Sequence, residues 1–496
     1  MLKKIRITLA LVFWLGITLL LLDFTGVLHG WLGWMAKVQL LPAVLALNVA
    51  VIAALVLLTL LFGRIYCSVI CPLGVFQDAV SRIRVNAQRR RRNHKPFHYR
   101  KELKWLRYGI WVIFVVALVA GVHVIVSVLA PYSAYGRIVQ NFLQPVYIWC
   151  NNLFAALAAR ADSYAFYSRE VWLRSLPTFL IAGVTLVAVV ILAWTGGRTY
   201  CNTVCPVGTT LGFLSRFAAF RPVIDADKCK GCKLCEHGCK ASCIDAAAKK
   251  IDYSRCVDCF NCLDDCKAGA LKYRFAWGKA AGSGDSDRKG RRAFLTATAL
   301  AAGAALHAQE KKVDGGFATI LDKTAPGRET PLVPPGAKGV KDFYRHCTAC
   351  QLCVAQCPNN VLRPSTDLEH LMQPEMSYER GYCRPECVRC SEVCPTGAIR
   401  RIAPEQKTAI RIGLASVDRS RCLPEARGTT CGNCARHCPS GAILMVPLHP
   451  EEKDSILIPS VNEALCTGCG ACENLCPVRP LSAITVNGRA VHLTLE

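Results

Sequence analysis

Long apolar runs alternate with strongly basic stretches through the first two hundred residues, and this alternation predicts most of the architecture. Residues 5–22, 40–62, 105–130 and 173–194 are nearly free of charge. At about 1.5 Å per helical residue each can cross the ~30 Å hydrocarbon core of a bilayer, the first at the short end of the range. Lys3, Lys4 and Arg6 precede the first run, so its start is expected on the cytoplasmic side. From Arg64 to Lys104 there are eleven Lys or Arg against Asp78 and Glu102, and that loop is expected inside as well. Residues 131–172 carry only Arg137, Arg160 and Arg169 as basic residues and are expected to form an outer segment.

A fifth, shorter apolar stretch lies near the middle of the chain. Residues 287–308 read DRKGRRAFLTATALAAGAALHA. A basic run, the Arg291-Arg292 pair, a moderately apolar segment and a small-residue end at Ala308 match the twin-arginine export pattern. As a signal it leaves the protein before it in the cytoplasm and carries the protein after it across the membrane. A plain amphipathic linker is the rival reading.

The apolar part contains an internal repeat. Residues 63–74, GRIYCSVICPLG, and 197–208, GRTYCNTVCPVG, share Gly, Arg, Tyr, both Cys, Pro and the final Gly. Each follows an even-numbered run, so residues 1–220 are expected to form two similar two-span hairpins. Cys67 with Cys71, and Cys201 with Cys205, are spaced to share a helical face, and the proline after each pair marks a turn or kink. The four thiols could bind a further metal centre, act as redox-active thiols or dock a partner; two unrelated buried pairs is the plainer alternative. His123 falls inside the third run and Asp23 at the end of the first. An ionisable group within a membrane is a functional candidate, here for accepting a substrate proton, although helix packing explains His123 equally well. Cys150 has no cysteine neighbour and reads as an apolar packing residue.

Composition sharpens this picture. A chain of 496 residues implies several domains, and an apolar content of 52% in long runs implies a membrane protein. The net charge of +25 sits beside the runs, where it fits orientation and lipid headgroups; no nucleic-acid partner is expected. The sequence has no C-x-x-C-H haem attachment, no dinucleotide fingerprint and no Walker loop.

Thirty cysteines dominate the remainder, and twenty-four of them fall into six groups of four. C-x2-C-x2-C-x3-C is the ligand spacing of cubane iron–sulfur clusters rather than of disulfides or of the paired C-x2-C of zinc ribbons. Residues 225–275 form a two-cluster unit with Cys229, Cys232, Cys235, Cys239, Cys243, Cys256, Cys259, Cys262 and Cys266. Three thiolates come from one run and the fourth from the other. Cys229, Cys232 and Cys235 therefore take Cys266, and Cys256, Cys259 and Cys262 take Cys239 or Cys243. Residues 309–340, rich in proline, read as an extended tether. Residues 341–496 hold four further runs: Cys347, Cys350, Cys353, Cys357; Cys383, Cys387, Cys390, Cys394; Cys422, Cys431, Cys434, Cys438; and Cys466, Cys469, Cys472, Cys476. Six 4Fe–4S clusters are the natural count, and a series of clusters serves to pass single electrons. Stapling of a small domain is the structural alternative, for which one cluster would suffice.

Residues 1–275 resemble the NapH-type membrane quinol dehydrogenases, on the four runs, the two C-x3-C-P motifs and the two-cluster unit. Residues 288–496 resemble the NapG-type four-cluster proteins with a twin-arginine signal, so the chain looks like a fusion of the two. Gly290 departs from the serine or threonine usual before the arginine pair. The resemblance implies a multidomain protein of the bacterial inner membrane: an α-helical bundle of four spans plus a fifth signal-anchor helix, carrying α+β ferredoxin-like domains. It implies two clusters in the cytoplasm and four in the periplasm, menaquinol or another quinol oxidised at the membrane, and electrons passed to a periplasmic reductase or cytochrome. Lipid and the quinone pool are the implied surroundings. It further implies that the first and fourth runs of the last domain share ligands, as do the second and third. The rival class, resembling FixG and NosR, is an assembly or metal-reduction factor; with only five Met the chain shows no metal-rich tract to favour it. A cluster-gated redox sensor is a third possibility, but no output domain is visible.

Overall fold

A computed structural model describes residues 2–90, 96–160, 162, 167–276, 321–452 and 455–494. Among them, two helices are long and apolar enough to cross a membrane, Leu2–Leu22 and Leu176–Gly196. The other two expected spans are interrupted. The second divides into Leu40–Leu45 and Val49–Phe62. Leu47 between them is left-handed (φ 51°), and the Asn48 side chain caps the new start by accepting the Val51 N–H. The third stops at Gly121, a left-handed cap after Lys104–Ala120, and restarts as His123–Leu129.

Residues 131–172, expected as an outer segment, contribute helices to the bundle. Pro131–Ile138 begins with proline at its first turn, runs through the π-helical segment Val139–Leu143 and continues as Gln144–Arg160. All eight residues of Pro131–Ile138 are buried. Ser133, Ala134 and Gly136 are small enough to let neighbouring backbone approach; a Cβ on Gly136 would lie 2.4 Å from the carbonyl oxygen of Cys350.

The first cysteine-rich unit is closed by the antiparallel pair Phe220–Ile224 and Leu271–Phe275 around the small hairpin Ile244–Asp245 and Lys250–Ile251. It docks on the repeat segments. The Arg64 N–H donates to Asp258 at 3.0 Å, the Arg198 N–H donates to the Lys240 carbonyl at 2.8 Å, and Lys3 pairs with Asp264 at 3.1 Å. The first glycine of each repeat is required here: Gly63 and Gly197 have φ of +72° and +69°, and a Cβ on either would meet Asp258 or the Lys240 carbonyl at 2.3 Å.

The last domain is built on three antiparallel pairs: Leu362–Pro364 with Pro374–Met376, Ile410–Val417 with Ile484–Thr494, and Ile443–Pro447 with Leu457–Val461. Residues 321–340, read above as part of a tether, lie along this domain. Leu332 and Val333 are buried, and Arg328 pairs with Glu473 at 2.7 Å. The domain docks at the far end of the first helix, where Gln356 donates to the Asp23 carbonyl and Arg380 pairs with Glu170 at 3.0 Å. The first helix, of 21 residues, thus carries one cysteine-rich unit at its start and the other beyond its end. Its length is about 31 Å, close to the thickness of a bilayer core. The expected signal-anchor helix, residues 287–308, lies outside the described residues.

One carboxylate ties the inner end together. Asp78 meets Arg6 at 2.9 Å, Arg198 at 2.6 Å and Lys240 at 2.6 Å, joining the first helix, the second repeat and the cysteine-rich unit. Burial alone would raise its pKa; Arg198, then Lys240 and Arg6, hold it far below the usual carboxylate range. Asp78→Ala leaves three buried cations without their anion and is expected to destabilise the protein by about 3–5 kcal/mol, read as a lowered denaturation midpoint in detergent. A depressed carboxylate stabilises above its unfolded pKa, so the contribution of Asp78 is complete above about pH 4 and is lost as pH falls below it. A variant midpoint equal to the parent's at pH 7 refutes this role.

Candidate functional site

Four of the six cysteine runs share one backbone device. In each, the residues flanking the middle cysteine are left-handed: Gly231 and Lys233, Asp258 and Phe260, Ala349 and Gln351, Gly468 and Gly470. Five of these eight are not glycine, a conformation that costs of order 1–3 kcal/mol each unless the surroundings impose it. The alternation curls the backbone of each loop around its middle cysteine. The stretched runs lack it; Val388 and Gly432 have φ of −117° and −167°.

The fourth thiol comes from a neighbouring run. Cys266 lies near Cys235 together with Cys229 and Cys232. Cys239 and Cys243 lie 3.5 Å apart, Cys239 near Cys259 and Cys262 and Cys243 beside Cys256. Both therefore stand at the second centre.

In the last domain the grouping differs from the one implied by the resemblance. Cys394 of the second run acts on Cys347, Cys350 and Cys353 of the first. Cys357 of the first acts on Cys383 and Cys390 of the second. Cys476 acts on Cys422 and Cys434, and Cys438 acts on Cys469. Runs one and two thus exchange their last cysteines, as do runs three and four, because the short helices Leu352–Gln356 and Arg389–Val393 pack together, as do Asn433–Arg436 and Ala471–Leu475. The implied pairing of one with four and two with three differs from this packing.

This donor set fits a cubane. All thirty cysteines are free of disulfides. Among the described residues no three His, Cys, Asp or Glu side chains converge as a single metal ion requires. Burial raises the thiols of Cys235, Cys350, Cys383 and Cys422 to about 11, so metal binding must displace their protons.

The repeat cysteines meet at the inner end of the bundle, and all four are buried. The two arginines of the motif cross over. Arg64 lies 3.8 Å from the Cys67 sulfur and donates to the Cys201 carbonyl at 3.1 Å. Arg198 lies 3.8 Å from the Cys201 sulfur and donates to the Cys67 carbonyl at 2.7 Å. The closing glycines make room for this: a Cβ on Gly74 or Gly208 would strike the Cys67 or Cys201 carbonyl within 2.3 Å. Sequence reasoning missed these arginines, and also Gln77, whose amide lies 3.2 Å from the Cys201 sulfur. The arginine inside the repeat was the available signal.

The two ionisable candidates lie on the side of the last domain rather than beside the repeat cysteines. The Asp23 carboxylate accepts from the N–H groups of Thr25, Gly26 and Leu28 and from the Thr25 hydroxyl, which shapes the turn after the first helix. His123 is buried beside His346 and His370 of the last domain, and neither ring nitrogen has a hydrogen-bond partner among the described residues.

The exchange of last cysteines is directly testable. With Cys347 and Cys394 on one centre, the double variant Cys347→Ser/Cys394→Ser is expected to lose about four irons per chain, no more than either single variant. A loss of about eight, measured with acid-labile sulfide, would restore the pairing of first with fourth and second with third.

Comparison with known proteins agrees with this geometry. A family model described as a 4Fe-4S binding domain matches twice, over residues 44–91 and 178–223, and so covers both repeats. A 4Fe-4S dicluster domain matches residues 346–423, which hold the first two runs and Cys422, and residues 428–479, which hold the rest of the third run and the fourth. The methylamine utilization ferredoxin-type protein MauM of Methylobacillus flagellatus is 34% identical over 183 residues, 36% of this chain and 76% of the relative. The ferredoxin-type protein NapG of Escherichia coli is 34% identical over 203 residues, 38% of this chain and 82% of the relative. The ferredoxin-type protein NapF of the same organism is 27% identical over 172 residues, 35% of this chain and 96% of the relative. No solved structure matches. On these cysteine runs and relatives, the chain belongs to the MauM/NapG family of ferredoxin-type 4Fe–4S electron-transfer proteins.

Proposed function

We propose that this protein is a quinol-oxidising electron-transfer component of the bacterial inner membrane, carrying two 4Fe–4S clusters at the cytoplasmic face and four at the periplasmic face. The observation that carries this reading is the docking of the two cysteine-rich units at opposite ends of one bilayer-length apolar helix, Leu2–Leu22. The chain leaves the inner unit at Ala276 and belongs to the outer one from Leu321. The joining segment, which has to cross the membrane in this reading, includes the twin-arginine stretch. That agrees with a fusion of a NapH-type membrane half and a NapG-type exported half. The interrupted helices Val49–Phe62 and Lys104–Ala120 serve as the remaining crossings, completed by Leu40–Leu45 and His123–Leu129.

Bound clusters would accept and pass one electron at a time. A quinol gives two electrons and two protons, so its site must offer an apolar slot, a nearby centre and a route for protons. A cavity of about 360 Å³ between the first helix and Pro72–Arg90 meets the first two needs. Ala10, Leu11, Trp14 and Val75 form apolar wall, and Asn261, within the Cys259–Cys262 loop, brings the inner unit to its edge. Asp78 and Lys240 add polar wall. The acceptor in this reading is a periplasmic redox protein that docks on the outer domain.

The test is anaerobic. Adding a reduced menaquinol analogue to the oxidised protein in detergent is expected to bleach the broad iron–sulfur absorbance. Ala10→Trp, which fills the cavity, is expected to slow that bleaching at least tenfold while dithionite still reduces all clusters. Unaltered bleaching in Ala10→Trp together with slowing in His123→Ala moves the quinol site to the outer end. No bleaching of the parent by quinol, with full reduction by dithionite, favours the assembly-factor reading.

A further inference from the structure

We propose that Cys67, Cys71, Cys201 and Cys205 together hold one further iron–sulfur cluster, shared between the two hairpins and placed between the inner and outer cysteine-rich units. This rests on the electron-transfer reading above. It goes beyond the repeated domain match by making two half-sites one site and by naming its ligands.

Geometry makes the site single. Each motif arginine spans both hairpins, from the sulfur of its own first cysteine to the carbonyl of the other hairpin's first cysteine. The second cysteine of each pair stands immediately before a helix that starts with proline, Pro72–Arg90 or Pro206–Ser215. The Gly208 N–H points at the Cys205 sulfur from 3.3 Å, as suits a thiolate at a helix N-terminus. Neither pair alone supplies four ligands.

Charge says what the site lacks. Arg64 and Arg198 are both 0% exposed. Among the described residues the Arg64 guanidinium touches Asn202 and the Ser254 carbonyl at 2.8 and 2.9 Å and forms no ion pair, although the Asp258 carboxylate accepts from the Arg64 backbone N–H. Asp78 is already shared among Arg6, Arg198 and Lys240. Arg64 Nε, Arg198 Nη2 and Gln77 Oε1 have no hydrogen-bond partner among the described residues. A buried cation without an anion is strongly unfavourable. Four thiolates around an iron–sulfur core of charge 2+ leave roughly −2 in total, which matches the two guanidiniums. A mononuclear ion fits less well, since it needs ligands converging within about 2.3 Å and the described residues hold no such group. The cysteine runs of both ferredoxin units, where the spacing calls for cubanes, likewise show no such convergence.

Position gives the site its use. Inward, Asn202 donates to the Ala241 carbonyl at 3.2 Å, within the loop between Cys239 and Cys243. Outward, the buried helix Pro131–Ile138 packs on Pro72–Arg90, the helix that follows Cys71. Gly136, beside Arg137, packs on the Cys350 backbone. The helix expected outside thus brings the first outer cysteine loop into the bundle, towards the repeat thiols. A cluster there exchanges single electrons, with quinol as reductant and the outer redox partner as oxidant, and no bond changes at the thiolates.

Iron and acid-labile sulfide per chain decide the matter on the anaerobically purified full chain. Six cubanes give about 24 irons, and the shared centre raises this to about 26 or 28. Cys67→Ser and Cys205→Ser, one from each hairpin, are each expected to remove the same two or four irons and the same signal in the electron paramagnetic resonance spectrum of the reduced protein. Arg64→Gln keeps all four thiols and is expected to shift that signal alone. A parent count of about 24 overturns the proposal, and so does a disulfide between these cysteines found by mass spectrometry. Should quinol still bleach a 24-iron protein, the shared cluster fails and the quinol reading stands.

Discussion

The inner end of this molecule is organised by buried positive charge that needs an anion. Arg64 and Arg198 cross between the two hairpins, and Asp78 gathers Arg198, Arg6 and Lys240. In a low-dielectric interior such groups are tolerated only when paired and hydrogen-bonded. That one requirement fixes the register of the two repeats, seats the first cysteine-rich unit on them and leaves four thiols around the crossing point. The glycines of the motif follow from it, because each lies where a Cβ would collide with a carbonyl or with the docked unit.

The same logic explains the polarity of the whole chain. Lys3 at the start of the first helix pairs with Asp264, Lys240 of the cysteine-rich unit pairs with Asp78, and the Arg64 backbone N–H bonds Asp258. At the other end the contacts are sparser: Gln356 with the turn shaped by Asp23, Arg380 with Glu170, and the packing of Gly136 on Cys350. The inner junction is therefore tied by charge in a buried setting, and the outer one mainly by close packing on a small-residue helix.

Local spacing set the cysteine loops. Three thiols two residues apart, with left-handed residues between them, curl the backbone around one centre whatever else the protein does. The internal repeat and the basic loops around the apolar runs were legible for the same reason: each is a property of neighbouring residues. Where the reading was tentative, as at Cys239 and Cys243, the structure places both thiols at one centre rather than choosing between them by spacing.

What spacing could not decide was which loop lies beside which. The last cysteine of each run serves a different centre, and its identity depends on how Leu352–Gln356 meets Arg389–Val393 and how Asn433–Arg436 meets Ala471–Leu475. Hydropathy located the apolar runs but not their interruptions at Leu47 and Gly121, which are single left-handed residues inside otherwise continuous patterns. It also set residues 131–172 outside the apolar runs as an outer segment, yet every residue of Pro131–Ile138 is buried against other elements. The sequence by itself thus determined the iron–sulfur chemistry and the number of cysteine loops, because these follow from ligand type and local spacing. The tertiary structure alone decided which cysteine loops lie side by side, the crossing of the arginines and the packing of Gly136 on Cys350, because each depends on contacts between residues far apart in the chain.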